Sequence, residues 1–220
     1  MRELTGAVFV SIDGVMQAPG GPEEDLYGGF RHGGWVQPFW EEQMGPFEDV
    51  IMGEYDLLLA KRTYDIFAGY WPYNQDDPIG AKFQRINKYV LTHCDEPLGW
   101  ENSHKLSGDA ADAVRALKQT DGRGLLIQGS STLYPPLLSA GLIDRLMLIT
   151  FPVLLGKGKS IFDGPVEPIG LKLIDSFVSG TGVITATYEP AGEVPTGTFE
   201  TKEPSEAELE RRKKWAREEA

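Results

Sequence analysis

The sequence predicts a mixed α/β protein: one mostly parallel sheet flanked by helices, closed by an antiparallel hairpin at its carboxyl end. Three observations predict it. Strand-length apolar runs at 4–12, 55–60, 88–92 and 124–128 alternate with helix-forming stretches, which is the pattern of βαβ units. Runs such as YDLLLA and GLLIQ are apolar on nearly every residue, so both faces of those strands need cover. After Asp144 the helical pattern stops and DRLMLITFPVLLG, LKLIDSFVSG and GVITATYEP follow, the last two meeting at Ser179-Gly180 as a hairpin.

Each element has a local reason. Leu4 to Ile12 is a buried strand closed by an Asp13-Gly14 turn. Residues 17–34 hold six glycines and two prolines, which rules out regular structure and marks a functional or mobile loop. Phe39, Trp40, Met44 and Phe47 have helical spacing within 35–52, interrupted at Gly45-Pro46. Tyr55 to Ala60 is the second strand, leading through Lys61-Arg62 into a helix that opens at Thr63 and stops at Gly69. Lys88 to Thr92 is the third strand. The helix 109–118 has Asp109 as its cap and Lys118 near its end. Gly124 to Gln128 is the fourth strand, and Pro135-Pro136 delays the start of the helix within 130–139.

Residues 1–190 therefore read as one domain, and 191–220 as a charged helical tail with Ser205 and Glu208 placed as a capping box. The whole chain has 21 Lys+Arg and 33 Asp+Glu, a formal charge of −12. The tail has eight acids and six bases, 6 − 8 = −2, which leaves −10 for residues 1–190. A pI near 4.7 argues against nucleic acid as a partner, since phosphate backbones demand a basic footprint. One cysteine, Cys94, excludes a disulfide framework. Cys94 and His93 are neighbours on an extended segment and face opposite ways, so they form no dyad. His32 and His104 have no partners at metal-ligand spacing, and no metal is expected. The amino terminus lacks a basic, then apolar, leader and no run nears the ~18 apolar residues of a membrane helix; a cytoplasmic protein with no membrane partner is expected.

Within this acidic chain the cations gather at turns. Lys61 and Arg62 stand where a strand enters a helix, with Thr63 as its cap, a place that favours an anion. Gly129 with Ser130, Ser131 and Thr132 forms a second such turn after GLLIQ. Gly156 and Gly158 around Lys157 form a third, in LLGKGKSIF. Singly, each is compatible with an ordinary strand exit or solvated edge; together they suit one compact ligand bearing several phosphates. Asp13 is a candidate at the substrate end or simply the Asp of a turn. Trp35, Phe39 and Trp40 suit either a flat heterocycle or the core.

SIDG at 11–14 running on as VMQAPGG, GGW at 33–35, LLLAKRTYDIFAGYWP at 57–72, KYVLT at 88–92, IQGSSTL at 127–133 and PVLLGKGKSIF at 152–162 occur in that order. Together they resemble the dihydrofolate reductase-like family, in the branch similar to the reductase domain of riboflavin biosynthesis, over roughly residues 3–190. The resemblance implies an NADPH-dependent reductase, cytoplasmic and homodimeric, acting on a small heterocyclic carbonyl or imine compound. It implies cofactor contacts from Lys61, Arg62, Thr63, Thr92, His93, Gln128, Gly129, Ser130, Ser131, Thr132 and Gly156, with Arg62 at the 2′-phosphate. Asp13 is then the candidate catalytic residue, and Asp13, Trp35 and Trp40 the substrate contacts. A strained, cis Gln128-Gly129 peptide is implied too, and the apolar run Leu146 to Leu155 is the implied dimer contact.

Departures narrow this. Ala60-Lys61 stands where Gly-Arg is usual and His93 where Arg is common, which softens the preference for NADPH over NADH. None of Glu41, Glu42, Glu48 and Asp49 matches the carboxylate that anchors a pterin, so dihydrofolate is not the expected substrate. No deaminase domain precedes the reductase part, so the two-step riboflavin enzyme is not expected. The other reading is a module that keeps the cofactor fold without turnover.

Overall fold

The computed structural model describes residues 1–40, 45–199 and 202–218. Among them eight strands form one sheet: β1 (Leu4–Ser11), β2 (Tyr55–Ala60), β3 (Lys88–Leu91), β4 (Ser103–Leu106), β5 (Gly124–Gln128), β6 (Arg145–Phe151), β7 (Leu171–Val178) and β8 (Ile184–Pro190). Their order is β4-β3-β2-β5-β1-β6-β8-β7. Neighbours from β4 to β6 pair in parallel, and β8 pairs antiparallel with both β6 and β7. The mostly parallel sheet with a carboxyl-terminal hairpin is thus the fold observed.

Among the described residues six α-helices accompany the strands: α1 (Pro46–Met52), α2 (Lys61–Tyr70), α3 (Pro78–Arg85), α4 (Ala110–Lys118), α5 (Tyr134–Ser139) and α6 (Glu206–Glu218). The continuous apolar strands are covered on both sides. Leu57, Leu58 and Leu59 are all fully buried, yet Leu57 and Leu59 join a core with Phe47, Ile51, Tyr64 and Phe83. Leu58 joins the other core, with Val114, Leu117, Tyr134 and Leu137. Alternation of side chains along a strand thus divides the interior into two layers, one on each sheet face.

Several expectations change. Helix α2 begins at Lys61, with Ala60 as its N-cap and no side-chain cap, so Thr63 lies inside the first turn and does not open the helix. Within 35–52 regular α-helix starts only at Pro46; Gln37–Phe39 is a single 3₁₀ turn, and Glu41, Glu42 and Met44 lie outside the described residues. Strand β4 and helix α3 add to the expected elements. The delay imposed by Pro135-Pro136 is observed, since α5 starts at Tyr134. No cis peptide occurs among the described residues, so Gln128-Gly129 is trans; the unusual backbone there is the positive φ of Gly129 (82°) and Ser130 (63°).

The run Leu146 to Leu155 is also not a free surface. Strand β6 lies between β1 and β8, and Leu146, Met147, Ile149 and Phe151 are buried within the one chain. The exposed edge strand is β7, which shows Leu171, Leu173, Ile174 and Val178 to solvent. Helix α6 buries none of its residues.

Candidate active site

A notch in the carboxyl edge of the sheet creates the site. Strand β5 ends where Gln128 pairs with Ala7, whereas β1 continues to Ser11 beside β6. Beyond Ala7, therefore, β1 has no neighbour on its β5 side, and the chain connections reverse direction there. Clefts at such switch points receive ligands in open α/β sheets. The resulting cleft has a volume of about 1420 Å³, larger than the ~300–1,000 Å³ of a typical small-molecule pocket. It has room for an extended cofactor and a substrate together.

Two turns meet on this notch. After β2, Arg62 and Thr63 project from the first turn of α2 into the cleft; after β5, Gln128 to Thr132 line its other wall. Ser130 stitches them together, its Oγ accepting the Ala60 N–H at 2.9 Å. A Cβ on Gly129 would come within 3.0 Å of Thr63 Cγ2, so the turns touch only because that residue is glycine, which also tolerates the positive φ. Gln128 Oε1 is buried without a hydrogen-bond partner among the described residues, an acceptor left for an N–H donor.

The Gly-rich loop after β1 forms the third wall. Asp25, buried on that loop, accepts from Lys159 Nζ and lies 3.4 Å from Arg62 Nη1. The Tyr27 ring faces both cations, 4.9 Å from Arg62 Cζ and 5.0 Å from Lys159 Nζ. Burial raises the Asp25 carboxyl, but the Lys159 ammonium, the Tyr27 N–H and the Arg62 charge together outweigh it and leave its pKa below the ordinary value. Gln17 fixes the loop: its Nε2 donates to the carbonyls of Asp25 and Tyr27 at 3.0 and 2.9 Å, and its Oε1 accepts Lys159 N–H at 3.0 Å. Nearby, burial raises the Glu24 carboxyl, opposed by N–H bonds from Gly20 and Gly21.

Of the residues singled out in the sequence, Trp40, Arg62, Thr63, Gln128, Gly129, Ser130, Ser131 and Thr132 line the cleft. Others lie elsewhere. Lys61 turns to Asp65 at 2.7 Å and Glu96 at 3.7 Å. Thr92 is buried, its Oγ1 accepting the Cys94 N–H at 3.0 Å, and His93 is exposed and does not line the cleft. Trp35 is a core residue; its Nε1 donates to Gln17 O at 2.9 Å and its ring packs edge-on to Phe151. Asp13 is exposed and accepts from Ser11 Oγ (2.6 Å), Leu155 N (3.1 Å) and Gly156 N (2.6 Å). Those bonds, the Ser11 hydroxyl foremost, hold its carboxyl at about 2. Asp13 and Gly156 therefore serve each other as a turn, outside the cleft, and Lys157 does not line it.

The sequence alone does not single out Asp25, Tyr27 and Lys159. The glycines mark the loop that carries the first two, and Lys159 belongs to the KGK triplet. What linear reading lacks is the antiparallel bridge Val15–Ser160, which brings the two segments together. Among the described residues no helix is long and apolar enough to cross a membrane, and no group of three or more His, Cys, Asp or Glu side chains is placed to hold a metal ion.

A mostly parallel sheet with an antiparallel terminal hairpin, notched beside its central strand and bordered there by two strand-to-helix turns, is a dihydrofolate reductase-like fold. Residues 2–185 match the RibD C-terminal domain, and the chain belongs to that family. It is similar to YyaP of Bacillus subtilis (strain 168), an uncharacterized protein, with 23% identity over 191 residues, 85% of this chain and 94% of the relative. Among solved structures it resembles the diaminohydroxyphosphoribosylaminopyrimidine deaminase/5-amino-6-(5-phosphoribosylamino)uracil reductase of Thermotoga maritima, with a TM-score of 0.59, 14% identity and coverage of 86% of this chain and 57% of that one. It also resembles dihydrofolate reductase from Enterococcus faecalis complexed with NADP(H), with a TM-score of 0.53, 15% identity and coverage of 86% and 96%.

Proposed function

We propose that the chain is a reductase in which NADPH reduces a small heterocyclic carbonyl or imine compound, in the manner of the uracil-type reductases of its family. The observation that supports this most is the meeting of the Arg62-Thr63 turn and the Gln128–Thr132 turn on one notch. The first turn of α2 carries Lys61 and Arg62, no acid and no side-chain cap. Cations there oppose the helix dipole by ~0.3–1 kcal/mol each, a cost that a bound phosphate reverses.

In this reading Arg62, Thr63 and the hydroxyls of Ser131 and Thr132 hold the cofactor phosphates. The unpartnered Gln128 Oε1 takes an N–H from the carboxamide end. When bound, the dinucleotide supplies a hydride. Trp40, Val36 and Phe9 wall the remainder of the cleft and keep water from the transfer. A cytoplasmic location and a homodimer complete the proposal, with the exposed apolar strand β7 as the contact between copies in place of β6.

A second reading, cofactor binding without turnover, is favoured by one observation: Asp13 lies outside the cleft, which leaves the reductase without its candidate catalytic residue. Titration with NADPH followed by an oxidation assay on pyrimidine and pteridine substrates separates the two. Saturable binding with oxidation is the expected result. No binding at millimolar NADPH overturns both readings, and binding without oxidation of any substrate supports the module.

A further inference from the structure

The cleft is lined by five carboxylates, Glu23, Glu24, Asp25, Asp65 and Asp163, and by two cations, Arg62 and Lys159. An anionic ligand entering it meets net negative charge unless those cations are available. Both are engaged, and by the same group: Asp25 binds Lys159 Nζ directly and Arg62 Nη1 at 3.4 Å. The carboxylate is thus positioned as an anion would be, between two cations supplied by separate elements and backed by the Tyr27 ring.

We infer that Asp25 is an internal competitor for a phosphate or diphosphate group, and that an anionic ligand enters the Arg62–Lys159 seat by displacing it. The inference rests on the reading that the cleft takes a phosphorylated ligand, and names the seat and the group that guards it. Three features support exchange over a permanent ion pair. Asp25 has only 8% of its side chain exposed, but Arg62 has 58%, so most of the guanidinium fork faces open cleft and is free to engage an incoming anion. The Asp25 carboxylate sits on a loop, which moves more readily than either the α2 turn or the sheet. The seat keeps most of its frame without that carboxylate: Asp25 Oδ1 accepts the Tyr27 N–H at 3.0 Å, but Gln17 also ties the backbone of Asp25, Tyr27 and Lys159 together through its amide. A ligand therefore exchanges one carboxylate for a group of greater charge; the loop gives up the Tyr27 N–H bond to Asp25 Oδ1 and stays tied through Gln17.

The consequence is that wild-type affinity for simple phosphates is held down, and removal of the Asp25 charge raises it. Calorimetric titration with inorganic diphosphate at fixed low salt tests this on the full chain. Asp25→Asn is expected to bind diphosphate about tenfold tighter than wild type, the scale of one charge-assisted contact. The double variant Asp25→Asn with Lys159→Ala is expected to lose that gain. Unchanged or weaker binding by Asp25→Asn overturns the inference, and so does a gain that survives in the double variant.

Should Asp25→Asn fail to fold, wild-type protein decides the question. Release of Asp25 loosens the loop that carries exposed Arg31, so diphosphate is expected to speed tryptic cleavage after Arg31; an unchanged or slower rate overturns the exchange. Diphosphate has no nicotinamide, so these outcomes are independent of the reductase reading. Tighter diphosphate binding by Asp25→Asn without any NADPH binding keeps the competitor and removes the cofactor.

Discussion

Arg62 reaches the cleft with more than half its side chain exposed and one 3.4 Å contact to Asp25. In the reading above it meets the 2′-phosphate, so Arg62→Ala is expected to weaken NADPH about tenfold and NADH no more than about twofold. Equal losses, measured by fluorescence titration of the two cofactors, remove the assignment. Asp13 has the opposite position. Its carboxylate holds the N–H groups of Leu155 and Gly156 and sits at about 2. With the folded pKa below the ordinary aspartate value of 3.8, its stabilising effect is present above that value and lost as pH falls towards about 2. Asp13→Asn is therefore expected to lower the melting temperature at neutral pH and to leave NADPH affinity within about twofold of wild type. A large loss of binding with unchanged melting would return Asp13 to the site. Spacing along the chain could not separate these two residues, because both stand at strand ends; the difference is which way the following turn points.

At the scale of elements, close contacts and buried cations decide the packing. Gly6 on β1 lies under Tyr134 of α5, and a Cβ there would come within 2.6 Å of the ring. Tyr134 is fully buried and its hydroxyl donates to Ile127 O at 3.2 Å, so the ring has nowhere to go. Gly6→Ala is expected to cost about 1–3 kcal/mol by thermal or urea denaturation, and a neutral result would show that α5 slides. Three buried lysines hold elements together by donating to backbone carbonyls: Lys82 to Ile51 and Gly53, Lys88 to Phe83 and Gln84, Lys118 to Leu142. Burial pushes the Lys88 ammonium down to about 8 from 10.5, against the charges of Glu101 and Asp56. Between those values the unfolded chain binds more protons than the native one, so stability is expected to rise with pH from about 8 towards 10.5. Lys88→Met lacks that component; an equal rise in both proteins, by urea denaturation across the range, would assign it to other groups. The strands with continuous apolar runs and the hairpin were legible because burial on both faces leaves a compositional trace. Strand β4, SHKL, has no such trace, being an edge strand with its two central residues exposed. Helix α3 did carry a signal, Asp77 capping a helix with Pro78 at its start, but Gly80 and a single turn pair of apolar residues hid it. The cleft walls Gln128–Thr132 and Arg62-Thr63 were legible as turns; the loop contacts of Asp25 and Lys159 were not, because they depend on a long-range bridge.

Over the whole molecule, charge and order are unevenly distributed. The sheet carries its last pairing at Pro190, and Gly170 exchanges hydrogen bonds with Ala191 and Gly192 just beyond it. So the hydrogen-bonded pairing runs a little past residue 190 and a little past the family match at 185. The cations Arg62 and Lys159 face the cleft, whereas the backbone N–H of Gly156, in the turn that precedes Lys159, binds Asp13 outside it. Helix α6 belongs to neither. Among the described residues, Glu208 pairs with Arg211 and Arg212 and Glu210 with Lys213 along the helix's own surface, pairs worth ~0.2–0.5 kcal/mol each. A thirteen-residue helix without a buried face is marginal by itself, so it has little to give to the fold. Removing residues 202–220 is expected to leave the melting temperature within about 2 °C of the full chain and NADPH affinity unchanged. Because the removed segment holds six bases and six acids, 6 − 6 = 0, solubility should change little as well. Differential scanning calorimetry of the two chains checks the first point. A fall much beyond that margin would show that the tail packs on the body in solution, whereas the helix seen here buries none of its residues.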